Sequence, residues 1–335
     1  MAKIVRFHAV GGPQMLSIDD LDVPLPSRGE VRIEVAAIGI NRVEAMVRSG
    51  SYVTPALPSM LGSEAVGRID AVGADVSGFK VGDRVATLPG LSIGEYGAYG
   101  ELILYRADML VRVPDHQSDI EAAATWMQYL TAFGIMWEDR LEPGDHVVIT
   151  AASSSVGLAA IQLANLIGAI PIAVTRGNAK VGRLREAGAT HVVVSDEEDI
   201  AQSVRRVTGG RGAAMCFDAI GGRGFTALIA CLRQRGTAII YGQLGGSTAE
   251  IPSGLMTSLD ISVRGFQVKQ LVVQPPKRQR AVDFISRGLA IGALRPVVDR
   301  IFTLDQIADA HRYLESNTQF GKIVVTTCPA DDGRP

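Results

Sequence analysis

The feature that most constrains this chain is a regular alternation of apolar strands and helical stretches that begins near Ile120. The strands are short, continuous apolar runs, and the helical stretches carry apolar residues at helical spacing. The predicted strands span residues 147–150, 170–174, 191–194, 214–217 and 237–241, and the predicted helices span residues 156–167, 179–187, about 200–207 and 225–232. Strand and helix repeated in this way predict an α/β fold with a doubly wound parallel sheet.

The first 125 residues follow a different pattern. Residues 31–35 alternate between apolar and polar side chains with a period of two, as a half-buried strand does. Turn signals are frequent, among them Gly11-Gly12-Pro13, Gly82-Asp83 and Pro89-Gly90. Many short strands joined by glycine turns favour a small barrel. A chain of 335 residues is long for one core, so we expect two domains.

Composition excludes several classes of function. A formal net charge of −2 gives no electrostatic reason to expect nucleic acid or an anionic membrane as a partner. The N-terminal residues lack the long apolar core of a signal peptide. The most apolar stretch, residues 147–172, is interrupted by polar residues and does not predict a membrane span. Three cysteines form no disulfide framework and fit a reducing compartment, so we expect a cytoplasmic protein.

The turn between the first strand and the first helix of the repeat is a candidate phosphate site. Sheets of this type bind a dinucleotide pyrophosphate at the N-terminus of that helix. The full glycine fingerprint is absent, because Ala152 and Ser154 occupy the places of the first two glycines and only Gly157 remains. Small residues still allow close approach, and helix amides and serine hydroxyls supply donors. The candidate cofactor residues are Ala152, Ser153, Ser154, Ser155, Val156 and Gly157. The alternative is a serine-rich N-cap on a buried helix.

The end of the second strand indicates which dinucleotide binds. An NAD site places Asp or Glu about 20 residues beyond the glycines, to bind the ribose 2′-hydroxyl. Here Thr175 and Arg176 occupy that place, Lys180 follows, and the first acid is Glu186, inside the next predicted helix. A neutral and basic strand end suits the 2′-phosphate of NADPH, and a group of ordinary surface cations is the alternative. Later strand ends add further candidates for cofactor contact, namely Asp218, Tyr241 and Gly242.

Several segments, found in the right order over nearly the whole chain, match one family. Residues 7–16 resemble its first hairpin, and residues 41–52 resemble its active-site segment, with Glu44 where Asp is usual. The other matching motifs are Gly62-Ser63-Glu64, Gly82-Asp83-Arg84-Val85, Leu130-Thr131-Ala132 and Gly321-Lys322-Ile323-Val324. The chain resembles the medium-chain dehydrogenase/reductase superfamily and, within it, the zinc-independent quinone oxidoreductase (zeta-crystallin-like) branch.

The resemblance implies a domain organisation. A GroES-like β-barrel catalytic domain would span residues 1–125 and be completed by residues 296–335, and a Rossmann-type dinucleotide-binding domain would span residues 126–295. Phe266 and Lys322 join the expected cofactor contacts. The family also implies a homodimer, formed through an edge strand of the nucleotide domain, for which residues 261–266 are the candidate.

The positions that bind zinc in related enzymes hold other residues here. In zinc-using relatives a Cys in the segment of Asn41 and a His before the Glu of the Gly62-Ser63-Glu64 motif bind the catalytic metal. This chain has Asn41 and Ser63 there, and neither residue type is a usual zinc ligand. The four cysteines of a structural zinc lobe are missing too, because no cysteine precedes Cys216. We therefore expect no metal.

Without a metal, hydride donation to a substrate that is already electrophilic remains feasible. Quinones and α,β-unsaturated carbonyl compounds delocalise the incoming charge, so the protein has to orient the reactants and donate to the developing enolate. Tyr52 is the candidate donor, Asn41 would hold the substrate oxygen or the cofactor amide, and Thr131 resembles a family residue near the nicotinamide. The alternatives are a tyrosine packed at a cleft lip, an Asx-type turn, and a threonine bonded to its own helix.

These observations predict an NADPH-dependent oxidoreductase that acts on a small-molecule quinone or enone, with no nucleic-acid or membrane partner. Two other functions stay open. One is an enoyl-thioester reductase or a biosynthetic tailoring enone reductase. The other is a non-enzymatic, NADPH-binding, crystallin-like protein.

Overall fold

A computed structural model describes residues 1–136 and 141–327. Contacts between Cα atoms divide the chain into two compact units. The first comprises Met1–Met127 together with the C-terminal segment that begins at Pro296, and the second comprises Gln128–Arg295. Among the described residues, none of the helices combines the length and the apolar character needed to cross a membrane.

The strands are labelled in chain order. The first eight are β1 (Ala2–Phe7), β2 (Leu16–Leu21), β3 (Glu30–Ile40), β4 (Ser59–Met60), β5 (Ala65–Val72), β6 (Arg84–Thr87), β7 (Leu102–Arg106) and β8 (Leu110–Arg112). The next eight are β9 (His146–Ile149), β10 (Ile170–Thr175), β11 (His191–Val194), β12 (Ala213–Asp218), β13 (Leu232–Ile240), β14 (Ser262–Gly265), β15 (Val298–Thr303) and β16 (Lys322–Thr326).

The α-helices are labelled in the same way. They are α1 (Arg42–Ser49), α2 (Asp119–Ala123), α3 (Trp126–Ala132), α4 (Ser155–Leu166), α5 (Val181–Glu186), α6 (Ile200–Val207), α7 (Phe225–Ala230), α8 (Ser253–Leu259), α9 (Val268–Val272), α10 (Pro275–Ala290) and α11 (Ile307–Glu315).

The second unit contains a six-stranded sheet in the order β11-β10-β9-β12-β13-β14. Every strand pair in it is parallel. Val147, Val148 and Ile149 of the central strand β9 are fully buried, as a strand covered by helices on both faces requires. The chain leaves β9 toward one side and returns at β12 on the other, so the order is that of a Rossmann fold, with a topological switch point between β9 and β12.

The first unit contains two sheets. β15, β16, β3, β5, β6 and β8 pair in that order, and β7 adds to β3 as a seventh strand. A smaller sheet has the order β2-β1-β4. Residues 31–35, predicted as a strand from their period of two, lie within β3, and Val31, Ile33 and Val35 are buried. β16 of the C-terminal segment pairs with β3, so that segment completes a sheet of the first unit.

One strand differs from its prediction. β13 begins at Leu232, five residues before the predicted start at Thr237, and α7 ends at Ala230. Leu232 pairs with Ala213, and the register then shifts before Met215 pairs with Thr237. Arg235, with φ of 60°, lies in this irregular stretch. The stretch Arg233–Gly236 has no apolar run, which explains why the pattern alone does not reveal this part of the strand.

β14 lies at the edge of the six-stranded sheet, as expected for residues 261–266. The homodimer that the family resemblance implies through this edge stays a prediction.

Candidate cofactor site and catalytic residues

The turn after β9 has the geometry of a helix N-terminus prepared for an anion. Ala151 adopts φ of 45°, which turns the chain sharply out of the strand. Ser154 is the N-cap of α4, and its Oγ accepts a hydrogen bond from the backbone N–H of Gly157 at 3.0 Å. The N–H groups of Ser155 and Val156 belong to the first turn, where no intrahelical acceptor exists. The structure thus contains the N-cap, and the predicted cofactor contacts of the serines stay predictions.

Gly157 is required by packing. A Cβ atom at this position would lie 2.6 Å from the Ala152 carbonyl oxygen and 2.7 Å from that of Ala151. Real Cβ atoms essentially never approach other atoms so closely, so the first turn of α4 lies against the strand exit only because Gly157 has no side chain. The one glycine kept from the fingerprint is therefore the one that helix–strand packing needs.

The end of β10 carries the cations predicted to choose the cofactor. Thr175 is partly buried and ends the strand, and Arg176 is exposed. Lys180 Nζ donates to Ser153 Oγ at 3.2 Å. Lys180 thereby links the end of the second strand to the phosphate turn, and places a positive charge beside the N-terminus of α4.

Acidic residues approach the same strand end, which was not predicted from the sequence. β10 and β11 run in parallel, with Thr175 opposite Val194. The backbone N–H of Asp196 donates to the Arg176 carbonyl oxygen at 3.2 Å. Glu197 accepts a hydrogen bond from Asn178. The run Ser195-Asp196-Glu197-Glu198-Asp199 after a predicted strand was the signal, since parallel neighbours end at the same edge of a sheet.

Asp218, at the end of β12, is occupied by internal hydrogen bonds. It is fully buried, and its Oδ1 accepts from Thr150 Oγ1 at 2.6 Å. The same carboxylate accepts from the backbone N–H groups of Ile220 at 3.1 Å and Gly221 at 2.7 Å. These bonds tie the exits of β9 and β12 together at the switch point. The role of Asp218 as a direct cofactor contact stays a prediction. Its hydrogen bonds in the structure hold the turns that follow β9 and β12.

Tyr241 and Gly242 follow β13 at the same edge. The Tyr241 ring stacks on Phe217, with centroids 4.1 Å apart and planes inclined by 20°. Burial, with the nearby Asp218 carboxylate, raises the pKa of the Tyr241 hydroxyl, and the Ser154 side chain is close enough to oppose that shift. A Cβ on Gly242 would lie 2.5 Å from the Ala219 carbonyl oxygen, so these two loops also need a glycine. Phe266 is buried next to Gly134 and donates its N–H to the Ile240 carbonyl at 2.8 Å.

These features fit a dinucleotide phosphate. First-turn amides, serine hydroxyls and the Lys180 ammonium converge at one turn, and such donors at a helix N-terminus suit an anion. The turn lies at the carboxyl ends of the strands beside the switch point, where ligands of such sheets bind.

In the first unit, Asn41 precedes α1 and is buried, with 8% of its surface exposed. Its Nδ2 donates to the Gly39 carbonyl at 3.0 Å and to Glu44 Oε1 at 3.2 Å. Its Oδ1 accepts from Lys322 Nζ at 2.6 Å. The side chain thus contacts protein groups at both its nitrogen and its oxygen. Direct contact with substrate or cofactor stays a prediction.

Lys322 at the start of β16 is fully buried. Its ammonium donates to Glu64 Oε2 at 2.6 Å as well as to Asn41, and Glu64 itself is fully buried. Glu64 Oε1 accepts the backbone N–H of Met127 at 2.9 Å. The matching of charge with hydrogen bonds offsets the cost of burying these ions. The expected cofactor contact of Lys322 stays a prediction, since its contacts in the structure are internal to the first unit.

The two other predicted catalytic residues differ in exposure. Tyr52 follows the end of α1 at Gly50, which adopts φ of 76°, and 36% of its surface is exposed. Thr131 lies in α3 and is 9% exposed. Ser63 is buried, and among residues 1–136 and 141–327 no three His, Cys, Asp or Glu side chains form a group that fits a metal ion.

Comparison with known proteins identifies the family of this chain. Residues 27–115 match the profile of the alcohol dehydrogenase GroES-like domain, and residues 187–325 match the profile called zinc-binding dehydrogenase. The quinone oxidoreductase of Pseudomonas aeruginosa is 31% identical over 97% of this chain and 99% of its own length. The chain belongs to the medium-chain dehydrogenase/reductase superfamily. Within that superfamily it belongs to the zinc-independent quinone oxidoreductase branch.

Two further relatives support this assignment. The 2-haloacrylate reductase of a Burkholderia species is 30% identical over 97% of this chain and 98% of its own length. The crystal structure of Escherichia coli quinone oxidoreductase complexed with NADPH aligns with a TM-score of 0.91 and 28% identity, over 97% of this chain and all of that one. The predicted superfamily and the predicted fold class, a Rossmann-type sheet plus a GroES-like domain, are confirmed.

Proposed function

We propose that this chain is an NADPH-dependent, zinc-independent reductase that transfers a hydride to quinones or α,β-unsaturated carbonyl compounds. The observation that carries the proposal is the convergence of the α4 N-terminus, its serines and Lys180 at the switch point of the parallel sheet. Relatives that match this chain over almost its whole length are named quinone oxidoreductase and 2-haloacrylate reductase, and one relative's structure contains NADPH.

The cofactor-binding residues have separate tasks in this proposal. The amides of Ser155 and Val156, with the hydroxyls of Ser153 and Ser154, bind the pyrophosphate. Arg176 and Lys180 bind the 2′-phosphate through charge-assisted hydrogen bonds, which are shorter and stronger than neutral ones. NADPH, when bound, supplies the hydride.

The catalytic residues act on the substrate oxygen. Tyr52, which exposes 36% of its surface, donates a hydrogen bond from its hydroxyl to that oxygen, where negative charge develops as hydride reaches the conjugated system. Asn41, whose orientation is fixed by Glu44 and Lys322, holds the substrate oxygen or the cofactor amide. Thr131 orients the nicotinamide. These tasks require placement rather than a strong acid, since quinones and enones already delocalise the added charge.

A substrate panel tests the proposal. Purified protein is assayed for NADPH oxidation with 9,10-phenanthrenequinone, a simple enone, 2-chloroacrylate and an enoyl thioester. Turnover of the quinone or the enone supports the proposal. Turnover of the thioester alone would assign the chain to the enoyl-thioester reductases. Binding of NADPH without turnover of any compound would favour the non-enzymatic, crystallin-like alternative.

A further inference from the structure

A buried chain of polar side chains in the first unit leads away from Asn41. Glu44, on α1, is fully buried, and its carboxylate accepts hydrogen bonds from the backbone N–H and the side-chain amide of Asn41. It also accepts from Tyr99 Oη at 2.8 Å. Tyr99 Oη in turn lies 3.2 Å from His311 Nε2. The residues of this network are far apart in sequence, so no local motif reveals the network.

Every group that the Glu44 carboxylate contacts is a donor when Glu44 is ionised. A neutral acid in the same place would carry an O–H that needs an acceptor. Tyr99 provides one if its own hydroxyl proton turns toward His311 Nε2. His311 is suited to accept that hydrogen bond at Nε2, because burial and the charges of Arg48 and Arg42 lower its pKa to about 3 and keep the ring neutral. Protonation of Glu44 therefore requires the Tyr99 hydroxyl to turn from Glu44 toward His311.

The surroundings of Glu44 act on its pKa in opposite directions. Burial raises its pKa to about 7, while the hydrogen bond from Tyr99 and the charge of Lys322 oppose the shift. The titratable and charged groups around this chain come from α1, β16, α11 and the loops before β5 and β7. They are Arg42, Arg48, Lys322, His311, Glu315, Glu64 and Tyr99. Arg48 is itself paired with Glu315 and Lys322 with Glu64, so Glu44 is the carboxylate in this group without an ion-pair partner of its own.

We propose that Glu44 is a positioning residue whose ionised carboxylate, supported by the Tyr99 hydroxyl, holds the Asn41 amide, and that protonation of Glu44 weakens that hold. With Glu44 ionised, Asn41 is fixed by Glu44 at its nitrogen and by Lys322 at its oxygen. With Glu44 protonated, its neutral carboxyl group is a weaker acceptor for the backbone N–H and the side-chain amide of Asn41. Because the role of Asn41 in the reaction belongs to the proposed function, the effect on turnover rests on it.

The first test is the pH profile of kcat with NADPH and an enone. The kcat of wild type should rise as pH increases through about 7, because ionisation of Glu44 fixes Asn41. Glu44→Gln, which cannot ionise, should lose that inflection and lower kcat by about 10- to 100-fold, as a displaced group does, with the KM for NADPH unchanged. Glu44→Asp, the usual family residue, should restore the inflection and most of kcat.

Tyr99→Phe probes the other end of the chain. Loss of the hydroxyl that donates to Glu44 should move the inflection to higher pH, since that hydrogen bond favours the ionised carboxylate. Tyr96→Phe is the matched control, because Tyr96 Oη donates to a different carboxylate, Glu30, at 2.8 Å. It should leave the inflection in place. Equal profiles for wild type and Glu44→Gln would overturn the proposal.

A readout independent of turnover separates this inference from the proposed function. The chain has four asparagines, Asn41, Asn165, Asn178 and Asn317, so labelling with ¹⁵N-asparagine gives four side-chain amide signals. The Asn41 signal should shift with pH around 7 in wild type and Tyr96→Phe, and stay constant in Glu44→Gln. A flat Asn41 signal in wild type would overturn the inference even if the enzyme turns over. A titrating signal in a protein without turnover would leave the inference standing and reject the proposed function.

Discussion

Tyr52 and Asn41 lie eleven residues apart in one segment, yet they suit different tasks. Tyr52 exposes 36% of its surface, whereas Asn41 is buried and bonded within the first unit. Tyr52→Phe keeps the ring and removes only the hydroxyl, so it should lower kcat on enones by about 100-fold or more, as the loss of an oxyanion donor does. The kcat on quinones should fall less, because aromaticity stabilises their reduced product. The matched control is Tyr313→Phe, which removes a hydroxyl bonded to Asp299. Unchanged kcat for Tyr52→Phe would assign the residue to packing.

In the proposed function, cofactor choice depends most directly on Arg176. Each charge-assisted hydrogen bond to a 2′-phosphate contributes roughly 1.5–3 kcal/mol, and exposure reduces this value. We expect kcat/KM for NADPH to exceed that for NADH by about 10- to several-hundred-fold. Arg176→Ala should raise the KM for NADPH and leave the KM for NADH nearly unchanged. Arg176→Asp should make NADH the preferred cofactor.

The control for Arg176 is Arg211→Ala, since Arg211 lies near His146 at the amino ends of the strands, the opposite edge of the sheet. Asp196→Asn should increase the NADPH preference, because it removes a negative charge from a residue whose backbone N–H bonds to the Arg176 carbonyl oxygen. Equal efficiency of wild type with NADH and NADPH would show that Arg176 and Lys180 are only surface charges.

Single residues were predictable where the function depends on a local turn. Ser154 and Gly157 follow from the strand–turn–helix pattern, because cap and packing act within a few residues. The Glu44–Tyr99–His311 chain was not predictable, because its members are separated by 55 and 212 residues and meet only after the first unit has folded.

At the scale of elements, the packing of α4 on β9 leaves no room for a side chain at Gly157. Gly157→Ala would place a methyl group against two backbone carbonyls that have no flexible side chain to move. We expect a loss of about 1–3 kcal/mol in the free energy of unfolding, together with a higher KM for NADPH as the turn shifts.

Gly182→Ala is the matched control, since nothing lies within 4 Å of a Cβ there and the residue is in α5. That variant should be as stable as wild type or more stable, by up to about 1 kcal/mol, through higher helix propensity. Thermal unfolding measures both variants, and an unaffected Gly157→Ala would refute the packing argument.

The elements themselves were largely predictable, for a physical reason. Strands such as β9 and β11 are continuous apolar runs because helices cover both faces of a parallel sheet. The first half of β13 was missed because Arg233–Gly236 is polar and bulged, so it lacks the pattern on which prediction relies. The proximity of Asp196 to Arg176 required the parallel pairing of β10 with β11, which the sequence analysis did not use.

For the whole molecule, metal independence is a prediction from the residues at the ligand positions of zinc-using relatives. Asn41 and Ser63 stand there, and Asn41 is bonded to Glu44 and Lys322. We expect elemental analysis of purified protein to find no stoichiometric metal, and chelators to leave turnover unchanged. One zinc per chain, lost together with activity on chelation, would contradict this prediction.

The central claim is that this molecule transfers hydride from NADPH to a conjugated acceptor, and isotope transfer tests it most directly. NADPH deuterated at one C4 position, in each of its two stereochemical forms, is incubated with the protein and an enone, and the product is examined by mass spectrometry. We predict one deuterium at the β-carbon from only one form, and a proton from solvent at the α-carbon, because a fixed site presents a single face of the nicotinamide. NADPH that binds but transfers no label to an enone, and is not oxidised by a quinone, would contradict the claim.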